Sequence, residues 1–482
     1  MNTRRITTTL SALTAALLLA GCASVASDGL LGDVQQQTQS RLPKDAQLAS
    51  ANADARKEAQ DRIADWLRQP VDQDTAVRIA LLNNPDLHAQ LAELAAQDAE
   101  RAQALTLINP TLTLGRFTNG HEREIERQLG FNLVNVITLP WRSRWLGWQM
   151  ERSTLQASQN VLLMAAETRR AWLRAVASEQ SLAAAVKMND AAQLGAELAR
   201  RMAQVGNFNK LQQARELSIA QESAAQLARA RLAAATDREQ LSRMMGLWGT
   251  QAAFQLPAQL PAIPRSADAL RSGDDAEATA LRERLDLRAL RRDLDTTADR
   301  GGWAGVGAVF GDIGATYSNN RSTDRETGHV EKTRGWELDL PLPIFDWGGS
   351  ASARTRAEVR RSAALLQSTA LRARGEARTS WSRYRTAWDL AHQQRAEVLP
   401  LAKLVQDETV LRYNGMFDSV WQLLAQARAT TQAVVNATNA QRDFWLAETD
   451  LQLALTGTSP GETAALGSSA SNAASNTNEQ GH

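Results

Sequence analysis

Gly335-Trp336-Glu337-Leu338-Asp339-Leu340-Pro341-Leu342-Pro343-Ile344-Phe345-Asp346-Trp347-Gly348 decides how the chain is read. Trp336, Leu338, Leu340, Leu342 and Ile344 alternate with Glu337, Asp339, Pro341 and Pro343. A period of two puts the apolar set on one side of a strand and the carboxylates of Glu337 and Asp339 on the other. One side meets apolar surroundings and the other meets water. The glycine-rich residues 306–317 are the expected partner strand, and the polar residues 318–332 the exposed loop between them.

The same design occurs upstream. Asn84-Pro85-Asp86-Leu87-His88-Ala89 returns as Arg284-Leu285-Asp286-Leu287-Arg288-Ala289 at an offset of 200 residues. Gly130-Phe131 answers Gly335-Trp336 at 205, Gly206-Asn207-Phe208 answers Gly415-Met416-Phe417 at 209, and Met245-Gly246 answers Thr456-Gly457 at 211. Four matches in one order describe a duplicated unit. Its copies span 75–254 and 273–457, joined at 255–272 by an irregular connector carrying Pro257, Pro261 and Pro264. The first copy then has its own hairpin: a strand over 111–117, a polar loop with His121, Glu122, Arg123 and Glu124, and a strand over 128–139.

Outward from each hairpin, proline disappears. None lies between Pro140 and Pro257, nor between Pro343 and Pro400. Residues 143–205 and 351–413 read as helices of 63 residues each, about 94 Å at the helical rise. Each reaches a glycine and turns. Pro400 predicts a kink or break in the second. Past the turns, Leu217, Ala220, Ala224 and Leu227, and likewise Val420, Leu424, Ala427, Thr431 and Val434, form coiled-coil seams.

The N-terminus carries Arg4 and Arg5, an apolar run from Leu10 to Leu19, and Leu19-Ala20-Gly21-Cys22. This is a secretory signal over 1–21 closed by a lipoprotein cleavage box, with Cys22 as the lipidated residue. Cys22 is the single cysteine of 482 residues, which excludes a disulfide or thiolate metal site within one chain. Residues 22–74 form a polar leader, and 458–482 a tail expected to be disordered. Lys and Arg number 54 against 53 Asp and Glu, so charge offers no reason to expect nucleic acid as a partner. His88, His121, His329, His392 and His482 are scattered, and no zinc, phosphate-loop or nucleophile-elbow motif occurs. No catalytic residue, metal or cofactor is expected, and the chain is not read as an enzyme.

An amphipathic strand pattern in a lipoprotein implies a membrane barrel, because a bilayer tolerates only helices and closed sheets. Four strands cannot close one, since the smallest have about eight, so several chains must contribute. The fold class is mainly α with a small transmembrane β part. Trp141, Trp145 and Trp148 follow the first hairpin and Trp347 the second, where a membrane-interface belt would lie.

Ala76-Val77-Arg78-Ile79-Ala80-Leu81 with Asn84-Pro85, the strand ending from Leu340 to Gly348, and the turns Val205-Gly206 and Asn414-Gly415 together resemble the TolC-type outer-membrane factors of multidrug and metal efflux systems, lipoprotein subgroup. The resemblance covers roughly 75–457. It implies a homotrimer with one twelve-stranded barrel continued by a helical tunnel of long α-hairpins into the periplasm. It also implies an inner-membrane pump and a periplasmic adaptor (membrane fusion protein) as partners, and location in the outer membrane, lipid-anchored; Ala23 after Cys22 agrees with that location. The adaptor would dock on the tips formed by Val205, Gly206, Asn207 and Phe208 and by Asn414, Gly415, Met416 and Phe417. Glu337 and Asp339 would face the lumen. Members of the family often carry an acid about six positions after the tip glycine; here Gln212 and Trp421 stand there, and Asp418 is the candidate lumen gate, with Asp407 and Glu408 before the tip. A periplasmic adaptor would need one helical hairpin between two lipoyl-like halves, and a bridging coiled-coil lipoprotein would leave the alternation at 336–344 unexplained.

Overall fold

The computed structural model describes residues 25–50, 52–310, 313–340, 344–345 and 347–461. The expected signal sequence, Cys22 with its expected lipidation, Pro341–Pro343, Asp346 and most of the tail lie outside the described residues. The chain divides into two units. One comprises residues 1–30, 91–156 and 287–369, the other 31–90, 157–286 and 370–482.

The first unit holds a four-stranded antiparallel sheet in the order β1-β2-β3-β4, with β1 Thr111–Thr118, β2 Glu122–Asn132, β3 Gly314–Asp324 and β4 Val330–Asp339. The hairpins join through β2 and β3, Gly130 lying opposite Thr316. Three expected strand ranges move. The partner of β4 is 314–324, not 306–317, because the helix before it runs on to Phe310, so the polar stretch 318–332 is mostly strand. The strand expected over 336–344 spans Val330–Asp339, stopping before two prolines that have no N–H for a ladder. The strand expected over 128–139 is Glu122–Asn132, and residues 133–139 are helical. There the Asn132 side chain accepts a hydrogen bond from the Asn135 N–H at 3.1 Å and so caps the new helix against its β-branched sequence.

That helix, α5, runs from Leu133 to Gln204 and contains Pro140, so it starts ten residues earlier than the expected 143. It follows α1 Leu31–Thr38, α2 Ala53–Trp66, α3 Gln73–Asn83 and α4 Pro85–Leu105. The first two show that the polar leader is itself partly helical, with Val34 and Ile63 fully buried. Next come α6 Lys210–Met244, α7 Ala276–Glu283, α8 Leu285–Phe310, α9 Gly349–Gln393, α10 Leu399–Asn414 and α11 Val420–Thr456. Between α9 and α10, Gln394–Val398 is a single π-helical stretch. It absorbs the expected break: Pro400 occupies the first turn of α10, where no intrahelical donor is required. Within the first unit, Arg152 pairs with Asp293 at 2.6 Å and Arg292 with Glu151 at 2.9 Å.

In the second unit the core gathers Ile63, Val71, Ile79, Trp172, Val176, Leu241 and Met245. Trp172 Nε1 donates to the Val71 carbonyl at 2.8 Å. A further cluster holds Tyr384, Trp388, Phe444 and Leu451. Two tryptophans fasten the connector to it: Trp388 Nε1 donates to the Pro264 carbonyl at 3.0 Å and Trp445 Nε1 to that of Pro261 at 2.9 Å. Alanines at 192, 196 and 220 let α5 and α6 approach closely, with Leu217 alongside. In the expected seam of α11 the buried positions are Thr430 and Ala433, one residue before the expected Thr431 and Val434, and Val434 is exposed.

The two segments expected to be copies are alike at their helix breaks. Asn84, 2% exposed, accepts from the Asp86 and Leu87 N–H groups at 2.9 and 3.2 Å and donates to the Met244 carbonyl at 2.9 Å. Its counterpart Arg284 is fully buried. Arg284 contacts Asp286 at 2.6 Å, Glu376 at 2.7 Å and the Ala454 carbonyl at 3.5 Å. Burial works against its charge, but the two carboxylates outweigh burial and hold its pKa above the ordinary arginine value. Each break thus reaches the last turn of the helix that ends its copy.

Candidate functional site: a two-faced sheet and two helix turns

Antiparallel register assigns every strand residue to a face, because directly opposed residues project the same way. Thr111 lies opposite Gly130, Gly130 opposite Thr316, and Thr316 opposite Glu337. That row begins a polar face. Along it β2 contributes Glu122, Glu124 and Glu126, β3 Asp324, and β4 Glu331, Glu337 and Asp339, with no Lys or Arg from any of the four strands. Glu337 and Asp339, the two carboxylates expected to share a side, belong to a set of seven once register is included.

The other face starts apolar. Leu112, Leu129, Tyr317 and Trp336 stand in one row, and Phe131, Ala315 and Leu338 in the next row toward the helices. The Tyr317 and Trp336 rings lie 5.1 Å apart. Trp336 is 72% exposed, and Leu112, Leu338 and Leu340 are exposed beside it. The outer strands β1 and β4 each have one unpaired edge, and they run in opposite directions. Trp141, Trp145 and Trp148 fall on one stripe of α5 and are half-buried, while Trp347 is exposed. The Arg144 guanidinium sits 5.7 Å from the centre of the Trp148 ring.

The two turns lie in the second unit. After α5, Gly206 has φ +76°, and the Asn207 N–H returns to the Met202 carbonyl at 2.9 Å. After α10, Gly415 has an ordinary φ of −79° and Met416 takes the left-handed conformation at +63°, with the Phe417 N–H returning to the Arg412 carbonyl at 2.8 Å. Both close by the same six-residue bond. Gly206 therefore corresponds to Met416, and the pairing of Gly206 with Gly415 is off by one residue. The next helices start alike: Asn209 and Ser419 each form a reciprocal capping box, with Gln212 and Gln422.

Between the turns, Phe208 stacks on Trp421 with ring centres 4.9 Å apart. Val205, Asn207, Met416 and Phe417 are exposed. Asp418 is held by Arg412 at 2.9 Å. His121 contacts Glu326 at 2.9 Å in the loops of the sheet. Among the described residues no three His, Cys, Asp or Glu side chains are grouped to hold a metal ion. No described helix is long and apolar enough to cross a membrane. The sequence reading missed the Phe208–Trp421 stack, although two aromatics near equivalent turns were its available signal.

No protein-family model and no curated protein matches the sequence. Solved structures do match. The outer membrane channel CmeC of Campylobacter jejuni is 14% identical with a TM-score of 0.65, over 83% of this chain and 91% of its own. The outer membrane protein VceC of Vibrio cholerae is 13% identical with a TM-score of 0.60, over 84% and 99%. The open-state outer membrane channel MtrE of Neisseria gonorrhoeae is 16% identical with a TM-score of 0.58, over 80% and 89%. The chain has the fold of these proteins, the one implied by the resemblance to TolC-type factors: long helices with a small four-stranded antiparallel sheet.

Proposed function

We propose that the chain is the outer-membrane channel component of a tripartite efflux system, a passive duct for small molecules or metal ions delivered by an inner-membrane pump through a periplasmic adaptor. The observation that carries this reading is the sheet: one face apolar beside the helices, one face acidic, and two open edges of opposite direction. Open edges bond to further strands. When β4 of one protomer meets β1 of the next, a head-to-tail ring stays antiparallel throughout, and three protomers give twelve strands. The carboxylate face would then line the lumen and the Leu112–Trp336 row would meet lipid. The folds of CmeC and MtrE, both described as outer membrane channels, support the same reading. Lipidation at Cys22 would tether the assembly, and the turns Val205–Phe208 and Asn414–Phe417 would dock the adaptor. The duct itself performs no chemistry.

The deciding experiment is single-channel conductance in a planar bilayer together with the oligomeric mass of the same preparation. A trimer with discrete conductance is expected; a monomer without conductance overturns the proposal. Asp418 remains the gate candidate on this reading, its charge shared with Arg412. Asp418→Ala should remove cation block and Arg412→Gln should strengthen it. Block unchanged by both takes Asp418 out of the gate.

A further inference from the structure

The apolar face of the sheet changes character toward the hairpin loops. Next to the Leu112–Leu129–Tyr317–Trp336 row comes Leu114–Arg127–Asn319–Arg334, then Arg116–Ile125–Arg321–Lys332, then Thr118–Arg123–Thr323–Val330. Six cations stand on this face, all six exposed, and none of the four strands places a carboxylate there. Every strand carboxylate is on the opposite face. No ion pair among the described residues engages Arg116, Arg123, Arg127, Arg321, Lys332 or Arg334.

The segregation is two-dimensional. Across the sheet it separates acid from base, and along the strands it separates apolar rows from cationic ones. The first cations lie two residues from the aromatic row, about 7 Å at the strand rise. On a surface facing hydrocarbon, cations at that depth are costly unless they sit at the interface. Five of the six are arginine, whose planar fork matches phosphate oxygens two at a time. A water-facing strand surface would have no reason to exclude carboxylates, and the same strands carry seven on their other side.

We propose that these six residues form a binding surface for the anionic phosphates of lipid headgroups in the membrane leaflet nearest the hairpin loops. The inference rests on the reading that the sheet lies in a bilayer with this face outward. Arg127 and Arg334 on the first cationic row, and Arg116 and Arg321 on the second, are its centre.

The test uses the full-length protein in mixed micelles containing bis-phosphorylated lipid A or its dephosphorylated form, with bound lipid quantified and channel conductance recorded on the same preparations. The native protein should prefer the phosphorylated lipid by roughly ten-fold or more, with the preference falling as salt rises. Substituting Arg116, Arg127, Arg321 and Arg334 together with glutamine should abolish the preference, whereas lysine at all four should retain most of it. Glu124→Gln with Glu126→Gln and Glu331→Gln on the opposite face should leave it intact. Should the glutamine variant fail to assemble, Arg321→Gln alone must still lower the preference. Equal binding of both lipids, a preference that survives the glutamine substitutions, or full competition by millimolar inorganic phosphate overturns the proposal. Absence of conductance from the native protein overturns the duct instead, and the lipid preference is still read on the micelles.

Discussion

The two copies of the duplicated unit solve the same geometric problems with different side chains. At the helix break, Asn84 serves as a neutral cap reaching the Met244 carbonyl, and Arg284 serves as the centre of a buried charged group reaching Ala454. At the turn, Gly206 takes the left-handed conformation at little cost, and Met416 takes it against its Cβ. Duplicated backbone geometry is thus kept while the chemistry that stabilises it diverges. The second copy concentrates charge and strain where the first uses neutral, permissive residues.

The largest expected effect separates the two breaks. Arg284→Ala leaves the Asp286 and Glu376 carboxylates facing each other without their buried cation and should cost about 3–5 kcal/mol. Asn84→Ala frees two N–H groups and one carbonyl and should cost about 1–3 kcal/mol. Denaturant midpoints of the two variants measure the order, and equal costs would mean the charged break is no more demanding than the neutral one. Next come the two glycines of the first copy. Gly246 has φ +66°, and an added Cβ would sit 2.5 Å from the Asn83 carbonyl oxygen; Gly206 has φ +76° with open space around it. Gly246→Ala should therefore lose about 2–3 kcal/mol and Gly206→Ala about 1 kcal/mol.

The turn comparison also predicts opposite signs. Met416→Gly should stabilise by about 1 kcal/mol where Gly206→Ala destabilises by a similar amount. Thermal unfolding of both variants tests this, and a loss on Met416→Gly would show that the thioether makes contacts worth more than its strain. Phe208→Ala, which removes the ring stacked on Trp421, should cost about 1 kcal/mol and raise hydrogen exchange in both turns together. Exchange raised in one turn only would mean the two are not coupled.

The smallest effect concerns α11. Burial pushes the Glu448 carboxyl above its ordinary range, against the pull of Arg271 and Arg169. The folded chain therefore holds this proton to higher pH than the unfolded chain does. Stability falls as pH rises from the ordinary glutamate range through the raised folded value. Glu448→Gln should flatten that slope, and stability followed as pH rises from the ordinary glutamate range checks it.

Much of this was legible in the sequence, unevenly. Strand β1 was placed within a residue because 111–117 is bounded by proline and by a polar loop. The turns, Asn84-Pro85 and the connector prolines were visible because backbone-restricting residues act locally. Strand β3 was not, since Ser318, Asn319, Asn320 and Arg321 have little strand propensity and become a strand only by pairing on both sides. Residues 133–139 misled in the opposite direction: their β-branched text reads as strand until the cap at Asn132 is seen. Gly415 drew attention to the wrong residue of the second turn, because nothing local marks a methionine as left-handed. The sorting of charge on the sheet needed the register of all three strand pairs, which no single segment contains.

On the proposed assembly, the exposed edges of β1 and β4 would make folding and assembly one kinetic problem. A protomer that has formed its sheet presents two rows of unbonded peptide groups and an apolar flank, so its lifetime alone is a hazard for misassociation. On the proposed ring, closure would depend on protomer concentration, and dilution would favour the loose species over the closed one. If the chain is a duct protomer as proposed, a cell making it would have to hold the sheet in a shielded form, or deliver protomers to one another faster than they find other partners.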